Sequence, residues 1–378
     1  MRIALLARRF DPAGGGTERD LMVTAGMLAR AGHQITVYAD EVRASAAGVE
    51  VRRIGASGLP RAIALVRFAY AAPAAARRDG AELVLSFART IGADILRSGG
   101  GAHVSYVRAA GLWRGTIRAR AMFMSPYHRA QMIVERMGFR SPALRRVIAV
   151  SNLVRDDLVR SFGISAQRVV TLYNGVDLER FKPAASPSTR AEIRMRYGIP
   201  AGAALIAFVG NGFARKGLGA LIEAIAGLAN DPYLIVVGSD RARAAYERRA
   251  ARLGIQRRVI FAGAQPNAEQ FYQAADAFAF PSLFEPFGNV ALEAMACGIP
   301  ALTSASCGVA ELMPPELQSA VVDNPADANE VTLRLGAMLA AREALGPIAL
   351  AAARQFTWQR HEHELLAIIE SAARGQRI

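Results

Sequence analysis

The chain has 378 residues and only two cysteines, Cys297 and Cys307, both in its second half. Two thiols make no disulfide framework, and no Cys/His ligand spacing accompanies them, so a reducing compartment fits. Lysine is equally scarce: Lys182 and Lys216 stand against 44 arginines. No run of 18 or more apolar residues is free of charge, so no transmembrane helix is expected. The apolar opening, Met1 to Ala7, meets Arg8, Arg9 and Asp11 at once. That is too short for a signal peptide and reads as a buried first strand. Neither a Walker A pattern nor Gly-x-Ser-x-Gly occurs. Asp156 and Asp157 are adjacent on a helix and point apart, and His361 and His363 share no helix face, so no metal is expected.

Hydrophobic residues make up 52% of the chain, enough for two ordinary domains with buried cores. The formal net charge is +14 and unevenly placed. Residues 1–178 hold 26 Arg and no Lys against 13 acids, whereas residues 179–378 hold 20 basic residues against 19 acids. The densest stretch, Arg97 to Arg168, has 13 Arg and three acids. Such a surplus attracts polyanions: anionic lipid headgroups, a phosphorylated glycolipid or nucleic acid. No helix-turn-helix, zinc-finger or RNP-like pattern points to nucleic acid, which is not expected as a partner.

Both halves alternate strand and helix. In the first, Arg2–Phe10 reads as a strand, Gly14-Gly15-Gly16 as a turn, Thr17–Arg30 as a helix capped by Thr17 with Asp20, and Gln34–Ala39 as the next strand. Further strands are expected at Val49–Ile54, Leu83–Phe87 and Val147–Val150. The second half repeats the pattern, with strands at Ala204–Val209, Tyr233–Val237, Val259–Phe261, Ala277–Phe280 and Pro300–Thr303 and helices at Leu218–Leu228, Asn267–Ala274 and Val290–Cys297. Strand–turn–helix–strand units imply parallel sheets with crossover helices. The expected fold class is therefore α/β, two tandem Rossmann-like domains. The boundary falls in Tyr173-Asn174-Gly175-Val176-Asp177, which sets domains of 1–173 and 174–356, followed by an amphipathic helical tail, 357–378.

Four segments carry chemistry. In Pro281-Ser-Leu-Phe-Glu285-Pro-Phe287-Gly288-Asn289-Val290-Ala-Leu-Glu293, a strand end and a proline-bounded loop lead into a helix. A helix N-terminus presents unpaired N–H groups and partial positive charge, so Gly288, Asn289 and Val290 offer donors to a diphosphate. Glu285 precedes them and Glu293 lies further along, each a carboxylate that accepts sugar hydroxyls. In Asn211-Gly-Phe-Ala-Arg215-Lys216-Gly217, a point cation and a guanidinium fork follow a strand and suit phosphate. Gly14–Gly16 departs from Gly-x-Gly-x-x-Gly, which weakens a nicotinamide-dinucleotide reading. In Gly99-Gly100-Gly101-Ala102-His103, the imidazole follows an open glycine loop. Asp20 is a further candidate, and Arg97 and Arg108 are candidates for acceptor phosphates.

The Glu285-to-Glu293 segment resembles the Glu-x7-Glu signature of the large retaining glycosyltransferase family 4, which has the GT-B architecture of two Rossmann-like domains with parallel sheets facing a central cleft. The glycine-rich first loop and the Tyr-Asn-Gly-Val-Asp linker extend the resemblance over the whole chain. It implies that the terminal helix returns to the first domain, that Glu285 contacts the donor sugar and Glu293 the ribose, and that Arg215 and Lys216 hold the donor diphosphate. It further implies that Gly15, Gly16 and Asp20 face donor phosphate and acceptor, and that His103 hydrogen-bonds the transferred sugar near its reacting carbon. Within the family, Phe10-Asp-Pro-Ala-Gly-Gly-Gly-Thr-Glu-Arg19-Asp20 and Val209-Gly-Asn211-Gly-Phe-Ala-Arg-Lys-Gly217 are similar to bacterial lipopolysaccharide core glucosyltransferases, although Pro286-Phe287-Gly288 follows the general family pattern. No Asp-x-Asp occurs, which disfavours a metal-dependent mechanism.

The resemblance implies a nucleotide-sugar donor as substrate, with no cofactor. It implies an anionic glycolipid or glycan acceptor, an anionic membrane surface as partner, and a cytoplasmic location on the inner face of the bacterial inner membrane. A sugar-nucleotide epimerase of the same architecture and a basic polyanion-binding protein without catalysis are the alternative readings.

Overall fold

Two strand–helix alternations fold into two parallel sheets. The computed structural model describes residues 1–11, 15–43, 49–55 and 58–374, so Gly14 lies outside the described residues. One compact unit comprises Met1–Gly111, Thr116–Tyr173 and the chain from Gln359, and the other Leu112–Gly115 and Asn174–Trp358.

Up to Thr171 the chain runs β1 (Arg2–Phe10), α1 (Gly16–Arg30), β2 (Gln34–Val42), β3 (Glu50–Arg53), α2 (Arg61–Arg78), β4 (Leu83–Ser86), β5 (Ile95–Ser98), α3 (His103–Ala109), α4 (Gly111–Arg114), α5 (Thr116–Met124), α6 (Pro126–Phe139), β6 (Arg146–Ala149), α7 (Asn152–Phe162) and β7 (Val169–Thr171), all in the first unit except α4 from Leu112 on. Its seven strands are ordered β3-β2-β1-β4-β5-β6-β7. The order reverses between β1 and β4, the switch point where a crevice opens at the carboxyl ends of such sheets. β1 is buried nearly throughout (Ile3, Leu5 and Leu6), because a parallel sheet is covered on both faces.

Two expectations are corrected here. Helix α1 begins at Gly16 with Gly15 as its N-cap and makes no side-chain cap bond. Thr17 already lies inside the helix, and Asp20, rather than completing a cap, forks onto Arg97 at 2.5 and 2.9 Å. Arg97 sits in β5, only 5% exposed. It is thus a core partner of Asp20 and not a surface cation for acceptor phosphates.

The second unit runs α8 (Pro187–Arg196), β8 (Leu205–Val209), α9 (Leu218–Gly227), β9 (Tyr233–Val237), α10 (Arg243–Arg252), β10 (Val259–Gly263), α11 (Ala268–Ala274), β11 (Ala277–Ala279), α12 (Asn289–Ala296), β12 (Ala301–Ser304), β13 (Val321–Val322), α13 (Ala328–Ala340) and α14 (Arg342–Ala353). Its six strands are ordered β10-β9-β8-β11-β12-β13, with the switch point between β8 and β11. Asp276, just before β11, accepts the Leu205 N–H at 2.8 Å and guanidinium bonds from Arg190 and Arg194, which fixes the neighbouring strand starts together. Among the described residues no single helix is long and apolar enough to cross a membrane.

Helix α15 (Trp358–Ala373) is amphipathic, and from Gln359 it belongs to the first unit. It buries Leu365, Ile369 and Ala372. His361 is 2% exposed, and its Nδ1 lies 2.6 Å from the Tyr173 carbonyl oxygen. Burial, aided by the charge of Arg97, lowers the imidazole pKa to about 4. The native state therefore keeps His361 neutral, while the unfolded chain protonates it below its ordinary pKa of about 6.5. Its contribution to stability is complete above that pH and declines as pH falls towards 4, by up to ~1.4 kcal/mol per pH unit. Urea unfolding at pH 7 and pH 5 should show a smaller acid-induced drop for His361→Gln than for the parent chain; an unchanged drop would contradict this assignment.

Candidate functional site

The loops that leave β8 and β11 flank the switch point of the second unit, and the candidate donor residues lie on them. After β8, Asn211 Oδ1 accepts the Ser239 N–H at 2.8 Å and Asp240 accepts the Phe213 N–H at 2.8 Å, so the loop is tied down before the cations begin. Lys216 is buried, with Nζ 4.3 Å from the centroid of the Phe280 ring. Gly217 has φ +76°, and a Cβ there would stand 1.9 Å from the Pro281 carbonyl oxygen. No other residue lets the β8 loop pack so closely on the β11 loop. Leu283 N–H completes the lock by donating to Arg215 O at 2.8 Å.

Arg215 and Lys216 converge on one carboxylate oxygen. Glu285 Oε2 accepts from Arg215 Nη1 at 2.8 Å and from Lys216 Nζ at 3.1 Å. Arg215 also donates to the Phe284 carbonyl at 2.6 Å. Burial opposes ionisation of Glu285, but the Lys216 and Arg215 charges outweigh it and hold the carboxyl below its ordinary pKa. The triad is ionised at neutral pH with one surplus positive charge. The Glu285 backbone is equally fixed: its N–H donates to Ser306 O at 3.0 Å and its carbonyl accepts from Gly308 N–H at 3.1 Å.

Helix α12 begins just beyond. Gly288 is its N-cap at φ +99°, and Phe287 beneath it is buried. The side chain of Asn289 accepts from Asn174 Nδ2 at 2.9 Å. Val290 is half-buried at the helix start. Glu293, further along the helix, accepts the Tyr272 hydroxyl at 3.1 Å. Burial and the Glu293 carboxylate keep that phenol protonated. Cys307 is buried and its thiol is pushed up to about 12, chiefly by burial; it donates to Phe287 O at 3.0 Å.

In the first unit, Gly15 and Gly16 are exposed at the start of α1. Asp20 and Phe87 line a cavity of about 170 Å³ with the glycines 99–101. A larger one of about 610 Å³ adjoins it at the ends of β1, β2 and β3, where Arg8, Arg9, Arg53, Arg61 and Arg89 face Glu18, Asp40 and Glu41. His103 corrects the expectation of an imidazole on an open loop. It opens α3, is 5% exposed, and its Nε2 lies 2.9 Å from Nδ1 of His128. Its N–H donates to Glu135 at 2.8 Å, and Glu135 holds Arg89 at 3.0 Å. Burial, with Arg89 and His128 nearby, lowers the His103 pKa to about 3, so it is neutral at physiological pH.

Residues 14–180 match the model described as Glycosyltransferase Family 4, and residues 189–345 the model described as Glycosyl transferases group 1. The chain thus carries both glycosyltransferase domain models, and its fold is GT-B. Among relatives of this family, the D-inositol 3-phosphate glycosyltransferase of Xylanimonas cellulosilytica is 32% identical over 60% of this chain and 57% of its own length. The chain thus spans little more than half of that relative. The lipopolysaccharide glucosyltransferase WaaG of Escherichia coli is 25% identical over 82% of each chain. A crystal structure of WaaG superimposes with a TM-score of 0.81 over 97% of this chain and 99% of that one, at 23% identity. Anabaena HepE in complex with UDP and glucose gives a TM-score of 0.71 over 98% and 100%, at 20% identity.

Phe280, Asn174 and Tyr272 are site neighbours that motif reading misses. Only Asn174 left a signal, in the Tyr-Asn-Gly-Val-Asp linker. Gly288 is a sensitive position as well, since a Cβ there would lie 2.6 Å from Cys307 Sγ. Gly288→Ala should destabilise the protein by ~1–3 kcal/mol through left-handed strain and this clash. Pairing it with Cys307→Ala should return part of the loss, read as a double-mutant cycle of thermal unfolding; strictly additive effects would refute the contact.

Proposed function

We propose that this protein transfers a hexose from a nucleotide sugar, UDP-glucose or a related UDP-sugar, to a lipopolysaccharide core or similar cell-envelope glycan, with retention of configuration and without a metal. The observation that carries this reading is the Arg215–Lys216–Glu285 triad at the β8/β11 switch point. Its surplus positive charge, beside the amino end of α12, suits a departing nucleoside diphosphate. Glu285 orients the donor sugar and Glu293 its ribose. HepE, crystallised with UDP and glucose, supports the donor class, and the lipopolysaccharide glucosyltransferase WaaG supports the acceptor class.

In the proposed reaction the bond from the anomeric carbon to the diphosphate oxygen breaks, and its electrons stay with the diphosphate. An acceptor hydroxyl bonds to the same face of that carbon, and its proton passes to the departing phosphate. Lys216 and Arg215 stabilise the charge that develops as the bond breaks; removing one such group typically costs 10²–10³ in turnover, roughly 2.7–4 kcal/mol. His103, buried and neutral, is bonded to His128 and stands two residues beyond Gly101, which lines the neighbouring cavity. The arginine-lined cavity of about 610 Å³ fits a phosphorylated acceptor.

An anionic membrane surface, on the cytoplasmic face of the inner membrane, completes the proposal. Helices α2 and α6 leave Ile63, Val66, Tyr70, Ile133 and Met137 exposed. Exposed Arg67, Arg129 and Arg136 stand among them, and each Arg near an anionic leaflet adds about 1 kcal/mol of attraction.

UDP-glucose should raise the unfolding temperature of the protein by mass action, more than GDP- or ADP-sugars do. Lys216→Ala and Glu285→Gln should each lower turnover by about 100-fold or more while the protein stays folded. Near-normal turnover in both variants would overturn the site. Conversion of the donor sugar without acceptor would favour the epimerase alternative.

A further inference from the structure

The amino-terminal edge of the first unit's sheet carries its own arginine cluster. A cavity of about 900 Å³ opens where β5, β6 and β7 begin, and Arg77, Arg140, Arg145, Arg146 and Arg168 line it. Asp94 is the single carboxylate among the described lining residues. It forms ion pairs with Arg77 and, at 3.3 Å, with Arg145, and it accepts the Val84 N–H at 2.7 Å. Arg77, Arg140, Arg145 and Arg168 thus set four guanidiniums against one carboxylate among the described lining residues.

Arg145 donates to Ala372 O at 2.7 Å, Arg146 to Ser371 Oγ at 3.4 Å, and Arg168 to Leu144 O. Arg140 stands exposed at the rim, just past α6. Ser141 and Gln167 add polar side chains to the wall. Like charges gathered around a cavity repel one another, and an anion seated among them relieves that repulsion. Guanidinium forks match phosphate oxygens in pairs, which a chloride or a single carboxylate cannot use as fully.

We propose that this cavity binds a phosphate group, either on a soluble phosphate or on a lipid headgroup. It lies at the opposite end of the strands from the crevice beside β1 and β4, so a ligand here does not compete with an acceptor there. Arg145 and Arg146 also hold the last turn of α15, so an anion that orders their guanidiniums secures the end of the terminal helix. The proposal is independent of the donor site: it stands or falls whether or not Lys216 binds a diphosphate.

The test has two arms on the full chain. Pyrophosphate is titrated calorimetrically into the parent protein, Lys216→Ala and Arg140→Gln/Arg168→Gln. The same proteins are floated with phosphatidylcholine vesicles with and without phosphatidic acid. A soluble source predicts a pyrophosphate transition that Lys216→Ala retains and the double arginine variant weakens by about tenfold or more. A headgroup source predicts flotation that depends on phosphatidic acid and on the two arginines, without that transition. Should the double variant misfold, Arg140→Glu, at an exposed position, must weaken the same signal. Equal behaviour of all three proteins in both arms overturns the proposal.

Discussion

One carboxylate oxygen holding two cations is the constraint on which the second unit is organised. Glu285 can meet Arg215 and Lys216 only if the β8 loop and the β11 loop lie in contact. Such contact requires a residue without a side chain at Gly217, and it calls for the Leu283 and Ser282 bonds to the Arg215 carbonyl. It also sets the direction of α12, because the chain leaving Glu285 must turn through the left-handed backbone of Gly288 before the helix begins. A buried ion pair of this kind adds little net stability, since desolvation offsets much of the attraction. Its value is geometric: two donors are aimed at one place before any ligand arrives, which is what electrostatic preorganisation demands.

Charge is handled differently in the first unit. There the sheet edge near β1 and β4 mixes arginines with Glu18, Asp40 and Glu41, whereas the opposite edge has five arginines and one acid. Part of the arginine surplus is thus gathered at one end of the sheet, and the rest is spread over the unit. Two of the arginines in the densest stretch are internal: Arg97 pairs with Asp20, and Arg146 reaches Ser371. Counting charge along the sequence overstates the surface field by such residues.

The architecture was legible because parallel strands buried on both faces read as short apolar runs, and the glycines between them mark the turns. β5 was hidden because Arg97 interrupts its apolar run, and the cap of α1 was misplaced because Asp20 has a stronger partner than the helix end. The donor segment was legible from a strand end, a Pro-Phe-Gly turn and two carboxylates. What the spacing could not reveal was that Glu285 is already occupied by cations, or that Glu293 takes a tyrosine hydroxyl. Both depend on residues 21 to 70 positions away. His103 shows the converse failure: three glycines before it promised exposure, yet the next residues form a helix that folds the imidazole inward onto His128.

The scarcity of lysine gives the Phe280 platform a chemical consequence. Of the two side-chain amines in this protein, Lys182 is 59% exposed and Lys216 11%. Acylation requires a reachable amine, and Lys216 is covered by an aromatic ring and hydrogen-bonded to Glu285. Reagents and enzymes that modify lysine therefore meet a surface with a single reactive lysine, remote in sequence from the triad. Arginine elsewhere gives the chain its positive charge in a form that acetylation does not erase.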